Sequence, residues 1–401
     1  MRLFGRYAGI GFLVLVGLTL ANSCKKAYQP DVVNQNLRLL VVEGVLNSGN
    51  DSTFINISRT VKLDEGIGTN AEKNAQVSVE NETGIVYQLE EKRPGEYVAG
   101  ALAIDPSVKY RLRIRTSDGK TYLSTYEEVK INPEIDNVGF DKKPDLVQVN
   151  INTHDDTNKA RYYRWHYEET WEFNSNFQSM YKSNGDTVLP RDMVNDNIYH
   201  CWTTNNSKTI LLGSSAKLTQ DIIKDAKLVA IPGESEKIAV KYSILVKQYA
   251  LTKGAFEFWQ NLKKNTEQLG TIFDPQPSQT RGNIFNEADA NEIIIGYFGI
   301  CNINSKRVFI DKSQLMEYFN KPYYTDCKED TVLLAKVDPL RGIINQENQL
   351  FNVNKGAIGP PLIPTSAITG PGGKLLGHFG TIPKCTDCTL RGTTKRPNFW
   401  E

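Results

Sequence analysis

The chain has 401 residues, and its 47 Lys+Arg stand against 46 Asp+Glu, a formal net charge of +1 at neutral pH. A balance this even gives no electrostatic reason to expect nucleic acid or a charged membrane surface as partner. Its length exceeds what one core usually organises, and 40% hydrophobic with 10% aromatic residues is material for two, so two domains are expected.

At the N-terminus Arg2 and Arg6 precede the apolar stretch Gly9 to Leu20, which ends in Ala21, Asn22 and Ser23. That order is the layout of a secretory signal. A hydrophobic run of about a dozen residues is shorter than the roughly 17–25 that span a bilayer as a helix, so no permanent transmembrane anchor is expected. Cys24 directly after small residues resembles the bacterial lipobox, although Asn22 sits inside the box and Leu20 one place early. The expectation is removal of a signal peptide over residues 1–23, lipidation of Cys24 and a linker over 24–36. Two or three acyl chains, at about 0.8 kcal/mol per buried methylene, hold a protein to a membrane without crossing it.

Residues 37–131 are strand-like throughout. "RLLVVEGVLN" and "STFINISRT" flank the turn-forming "SGND"; "AQVSVEN" and "IVYQLEE" read as a hairpin; "KRPGEYVAG" adds a Pro-Gly turn and a short strand. In "KYRLRIRT", Tyr110, Leu112 and Ile114 alternate with Arg111, Arg113 and Arg115, the pattern of a half-buried strand with a solvated charged face. Asp118-Gly119 supplies a two-residue turn into "KTYLSTYEEV". About seven such strands without a helix predict a β-sandwich of immunoglobulin-like or carboxypeptidase-regulatory type. "INPEIDNVGF", residues 131–140, marks the expected boundary.

Residues 132–401 read as a larger β-rich domain. In "RYYRWHYEETWEF", Tyr163, Trp165, Tyr167, Trp171 and Phe173 share one parity. That stripe suits the inner face of a sandwich, and alternatively makes Tyr163, Trp165 and Trp171 candidates for a ligand or partner surface. "IYHCWTT" and "KTILLGS" look like a hairpin, and "EKIAVKYSILVKQYALT" like one long strand. Ala255, Phe258, Trp259 and Leu262 fall at i, i+3, i+4 and i+7, predicting one amphipathic helix over 253–268 with Thr252 as its cap. Further strands are read in "EIIIGYFGI" and "KRVFID", whereas 271–286 and 359–374, both proline-rich, are expected to be long loops that face a ligand or partner.

An exported chain with Cys24 lipidated keeps Cys201, Cys301, Cys327, Cys385 and Cys388, enough for two bridges and a free thiol. Cys385 and Cys388 could belong to structural disulfides, form half a zinc site with His200 and Cys201, act as a redox couple or stay free thiols. No helical pattern follows them, as a redox couple needs, and compact zinc spacing is lacking. The preferred bridge joins Cys327 to one of Cys385 and Cys388. His154, His166, His200 and His378 sit in no HExxH arrangement, and no GxSxG elbow, phosphate loop or dinucleotide fingerprint occurs. Glu168 and Glu169, adjacent on a strand, point to opposite faces. The expectation is a non-catalytic chain with no metal and no cofactor.

Several stretches together carry a resemblance: "SCKKAYQP", "LLVVEGVLN", "GKTYLS", "VKYSILVKQYALTKGAFEFWQNLKKNTEQLGTIFDPQPSQTRGNIF" and the terminal "CTDCTLRGTTKRPNFW". In this order they resemble the Bacteroidota envelope lipoproteins catalogued as domain of unknown function 4249. The resemblance implies an outer-membrane lipoprotein, often encoded beside a TonB-dependent receptor, with Cys24 as the one position whose role transfers. The resulting expectation is an accessory or binding protein that captures an unidentified nutrient with such a receptor, on either face of the outer membrane. The alternative is a structural or adhesive envelope component.

Overall fold

The computed structural model describes residues 38–61, 70–267, 281–318, 320–355 and 361–400. Eight strands open the described chain: β1 (Leu40–Asn47), β2 (Thr53–Arg59), β3 (Asn70–Ala71), β4 (Gln76–Asn81), β5 (Val86–Arg93), β6 (Glu96–Ala99), β7 (Tyr110–Arg115) and β8 (Thr121–Ser124). Their period-two pattern sends Leu40, Val42, Ile55, Ile57, Val77, Val79, Leu112 and Ile114 into one core. β5 turns the corner: Val86 to Leu89 pair with β4, and Glu90 to Arg93 with β6. The expected turns are present, with Gly95 and Gly119 at φ +76° and +87°, where a Cβ would be strained.

The outward face of β7 is charged as its alternation predicts, and Arg111 and Arg113 both pair with Glu80 of β4. Burial pushes the Glu80 carboxyl up, but bonding to the two guanidiniums outweighs it and holds the group below its ordinary 4.5. A depressed carboxyl stabilises the fold above its unfolded pKa, and that contribution disappears as pH falls through the folded value. Glu80→Gln is therefore expected to cost about 1–3 kcal/mol at pH 7. Acid titrations of unfolding should show the gap to wild type closing below pH ~4.

The second sandwich uses β9 (Ile135–Lys142), β10 (Leu146–Asp155) and β16 (Asp221–Pro232) as one sheet, ordered β16-β10-β9. Its other sheet is built on β11 (Tyr162–Asn174), β14 (His200–Asn206), β15 (Leu211–Ser214), β17 (Lys241–Ala250) and β21 (Asn304–Asp311). Tyr163, Trp165, Tyr167, Trp171 and Phe173 all point into the core between these sheets. β14 and β15 do not form the expected hairpin; both pair with β11, at Glu168 to Asn174 and Tyr162 to Trp165 respectively. The long strand expected from residue 236 starts only at Lys241, because Glu236–Ile238 is one helical turn capped by Ser235. The helix α1 (Lys253–Glu267) buries Ala255 and Phe258, and Thr252 Oγ1 accepts the Ala255 N–H at 3.2 Å.

The expected division at 131/132 does not separate the cores. After α1 the chain returns to the first sandwich as β18 (Ile284–Asn286), β19 (Ile294–Gly296) and β20 (Gly299–Cys301). β18 pairs with β8, while β19 and β20 pair in parallel with β1. The returning segment thus covers both edges of the first sheet path, where unpaired N–H and C=O groups would otherwise be presented. Short apolar runs do not reveal their pairing partner, and parallel pairing needs a long crossover, so adjacency in sequence misplaced them.

The remaining strands form a cap. They are the hairpins β12 (Tyr181–Ser183) with β13 (Val188–Pro190) and β23 (Lys336–Asp338) with β24 (Gly342–Ile344), and a sheet of β22 (Asp330–Leu333), β26 (Leu375–Thr381) and β25 (Ile363–Thr369). β25 overturns the expectation of an irregular loop over 359–374. Pro364 is accommodated because the register with β26 slips between Pro364 and Ala367, where a missing ladder donor does little harm. Of the loop expected over 271–286, residues 271–280 lie outside the described residues and 284–286 form β18.

Candidate functional site

The sandwiches meet along an amide-rich seam. Asn132 donates its backbone N–H to Asn302 Oδ1 at 2.7 Å and its Nδ2 to the Gln248 carbonyl at 2.6 Å. Asn302 and Asn304 return bonds to the Asn132 carbonyl at 3.1 and 3.0 Å. Gln248 is fully buried; its Nε2 donates to the Pro133 carbonyl and Thr153 Oγ1, and its Oε1 accepts Trp165 Nε1 at 2.9 Å. Buried amides with this many partners fix one geometry, so the stretch expected to mark the domain boundary is a rigid joint.

Beside the joint lies a cleft of about 780 Å³. β1 and β2, with the turn between them, supply one wall, including Glu43, Asp51 and Phe54; β11, β17 and α1 supply the other, including Arg164, His166, Lys247, Tyr249 and Trp259. Register explains the second wall: Arg164 is opposite Tyr249, and His166 opposite Lys247, so the four side chains share the outer face of one sheet. The Arg164 guanidinium lies 4.8 Å from the Tyr249 ring centre and 4.2 Å from that of Trp259, a cation held by two aromatic faces.

Arg164 Nε is buried without a hydrogen-bond partner, and no carboxylate among the described residues forms an ion pair with this side chain. Glu168, next along the same face, pairs with Arg307 at 3.4 Å instead. Burial pulls the Arg164 guanidinium below its usual range, with Tyr249, Cys301 and Glu43 opposing. Burial and then the positive Arg164 and Lys247 hold His166 below 6.5, so it is neutral at pH 7. Burial pushes the free Cys301 thiol up to about 12 and leaves it unreactive. The arrangement is equipped to hold an anion against aromatic rings. Among the described residues, no group of three His, Cys, Asp or Glu side chains is placed to hold a metal ion.

The candidates from sequence fare unequally. Tyr163, Trp165 and Trp171 belong to the core of the second sandwich and form no exposed aromatic face: they are 0%, 2% and 8% exposed. Tyr163 donates to the Asp221 carboxylate, and its ring stacks on Trp165 at 6.0 Å. Trp165 reaches the cleft lining but has no free face, because a Cβ on Gly213 would come within 2.3 Å of its ring. Cys327 bonds to Cys385 as preferred, and a second bridge joins Cys201 to Cys388. Cys24 lies outside the described residues. Sequence reasoning missed Arg164, His166 and Lys247, which occupy the polar parity of their strands and look like any solvated face.

Comparison with known families decides the kinship, since residues 25–307 match the model described as "Domain of unknown function (DUF4249)". The chain belongs to the DUF4249 family. In this DUF4249 protein the matched stretch contains the strands of both sandwiches as far as Arg307 in β21, and every described residue that lines the cleft. Of the cap, the β12–β13 hairpin lies within the match, and the β23–β24 hairpin and the sheet of β22, β26 and β25 lie beyond it. No curated protein matches the DUF4249 chain. Among solved structures, a two-domain fibronectin type III segment from chicken tenascin is similar at 13% identity, over 52% of this chain and 90% of that one, with a TM-score of 0.16. At that score the likeness carries no inference.

Proposed function

We propose that this DUF4249 protein is a lipid-anchored outer-membrane lipoprotein of Bacteroidota that binds a nutrient, without catalysis, as the accessory of a TonB-dependent receptor. The observation that carries the binding reading is the seam cleft, where the half-buried Arg164, its Nε unpartnered and no carboxylate in ion-pair contact among the described residues, lies against two aromatic rings beside a rigid joint. Cys24 after a secretory-type signal supports the anchor. A pull-down of the tagged protein from native membranes is expected to recover a TonB-dependent receptor. Intact mass should show a chain beginning at Cys24 and carrying acyl groups. A chain without lipid, recovered without any receptor, would sink the proposal.

One observation favours the alternative, a structural or adhesive envelope component. The β23–β24 hairpin exposes Val337, Leu340 and Ile343 at 77%, 95% and 76%, an apolar tip suited to contact with another macromolecule. A deletion strain with unchanged nutrient uptake and altered surface attachment would select that reading.

A further inference from the structure

We infer that the seam cleft takes a small organic monocarboxylate, its carboxylate held by Arg164 and Lys247 and its body against Trp259 and Tyr249. The inference rests on reading the chain as a binding protein, but on neither the anchor nor the receptor.

A buried guanidinium is costly unless it is paired and hydrogen-bonded. The Tyr249 and Trp259 faces compensate part of that cost through their quadrupoles, but a ring face accepts no N–H bond in the guanidinium plane. Arg164 is therefore left with an unmatched donor at Nε and no carboxylate partner among the described residues. An incoming carboxylate matches the planar fork of an arginine and makes charge-assisted bonds that gain strength where water is excluded.

Lys247 is one strand over and two residues along, on the same face, with Ser305 opposite it on β21. The facing wall sets the charge of the ligand. Glu43 and Asp51 line the cleft opposite Arg164, Lys247 and Lys208, and His166 is held neutral. The cleft therefore has a small positive excess that suits one negative charge, whereas a phosphate dianion would be repelled by the acidic wall. Its volume of about 780 Å³ lies in the range of ordinary small-molecule sites.

The test is calorimetric titration of the full mature chain with three probes: 3-phenylpropionate, its uncharged amide, and inorganic phosphate. Saturable binding of the carboxylate is expected, with both the amide and phosphate at least tenfold weaker. Arg164→Gln should weaken the carboxylate at least tenfold and leave the amide unchanged. Should Arg164→Gln fail to fold, Lys247→Gln on the cleft rim carries the same comparison, with a smaller loss of carboxylate affinity expected. No carboxylate binding at 10 mM, equal affinity for the amide, phosphate binding as tightly as the carboxylate, or no change in the variants would each overturn the inference. If a receptor still co-purifies in that case, the ligand class is lost and the accessory reading stands; carboxylate binding without a receptor supports the cleft and removes the receptor.

Discussion

Trp165→Ala is expected to destabilise the protein by about 3–5 kcal/mol, among the largest effects of any single substitution. The ring is 2% exposed, stacks on Tyr163 and fills the space above Gly213. Its removal leaves a cavity in the core of the second sandwich and strands Gln248 Oε1, which accepts the indole N–H at 2.9 Å. Urea unfolding followed by circular dichroism measures the loss. Trp259→Ala provides the contrast, because this ring is half-buried on the cleft wall over Arg164. It should cost much less stability and should abolish binding of an aromatic carboxylate. Equal stability losses for the two tryptophans would contradict the assignment of one to the core and the other to the cleft.

Cys388→Ser is expected to cost a further large amount, about 3–5 kcal/mol, by opening the bridge to Cys201 across a sequence separation of 187. The bridge fastens a tail that is otherwise held by a few contacts. Trp202 and Thr393 exchange backbone bonds, Trp400 Nε1 donates to Glu172 at 3.0 Å, and Arg391 pairs with Glu236. With the bridge gone, the tail should fray and Trp400, now 6% exposed, should become accessible. Hydrogen exchange of residues 388–400 in Cys388→Ser against wild type tests this; unchanged protection would show that packing alone holds the tail. Cys327→Ser acts instead on the bridge to Cys385 at the edge of the cap, and the shorter closed loop, with a separation of 58, predicts a smaller loss.

Period-two alternation was legible wherever one face of a strand is buried. Tyr110, Leu112 and Ile114 are in the core and Arg111 and Arg113 on Glu80, as their order in the chain requires. The helix was legible for the same reason, through Ala255 and Phe258. Pairing was not legible. Nothing in "EIIIGYFGI" says that its strands lie parallel to β1, some 250 residues earlier by register with Leu40 to Asn47, because alternation encodes a buried face and carries no information about the neighbour. The aromatic parity of β11 drew the eye to Trp165 and Trp171, which build the core, while the candidate site lies on the polar parity. Arg164 differs from an ordinary solvated arginine only through what β17, α1 and the first sandwich bring to it, and that is set by tertiary packing.

The claim on which the account depends is that Arg164, half-buried with its Nε–H buried and unpartnered, takes an anion, and nuclear magnetic resonance of the arginine Nε–H groups tests it most directly. The account predicts an exchange-protected Nε–H resonance that is absent from Arg164→Lys, shifts saturably on addition of 3-phenylpropionate and stays in place with the amide. A resonance that exchanges as freely as those of surface arginines, or one that the carboxylate does not move, would contradict it.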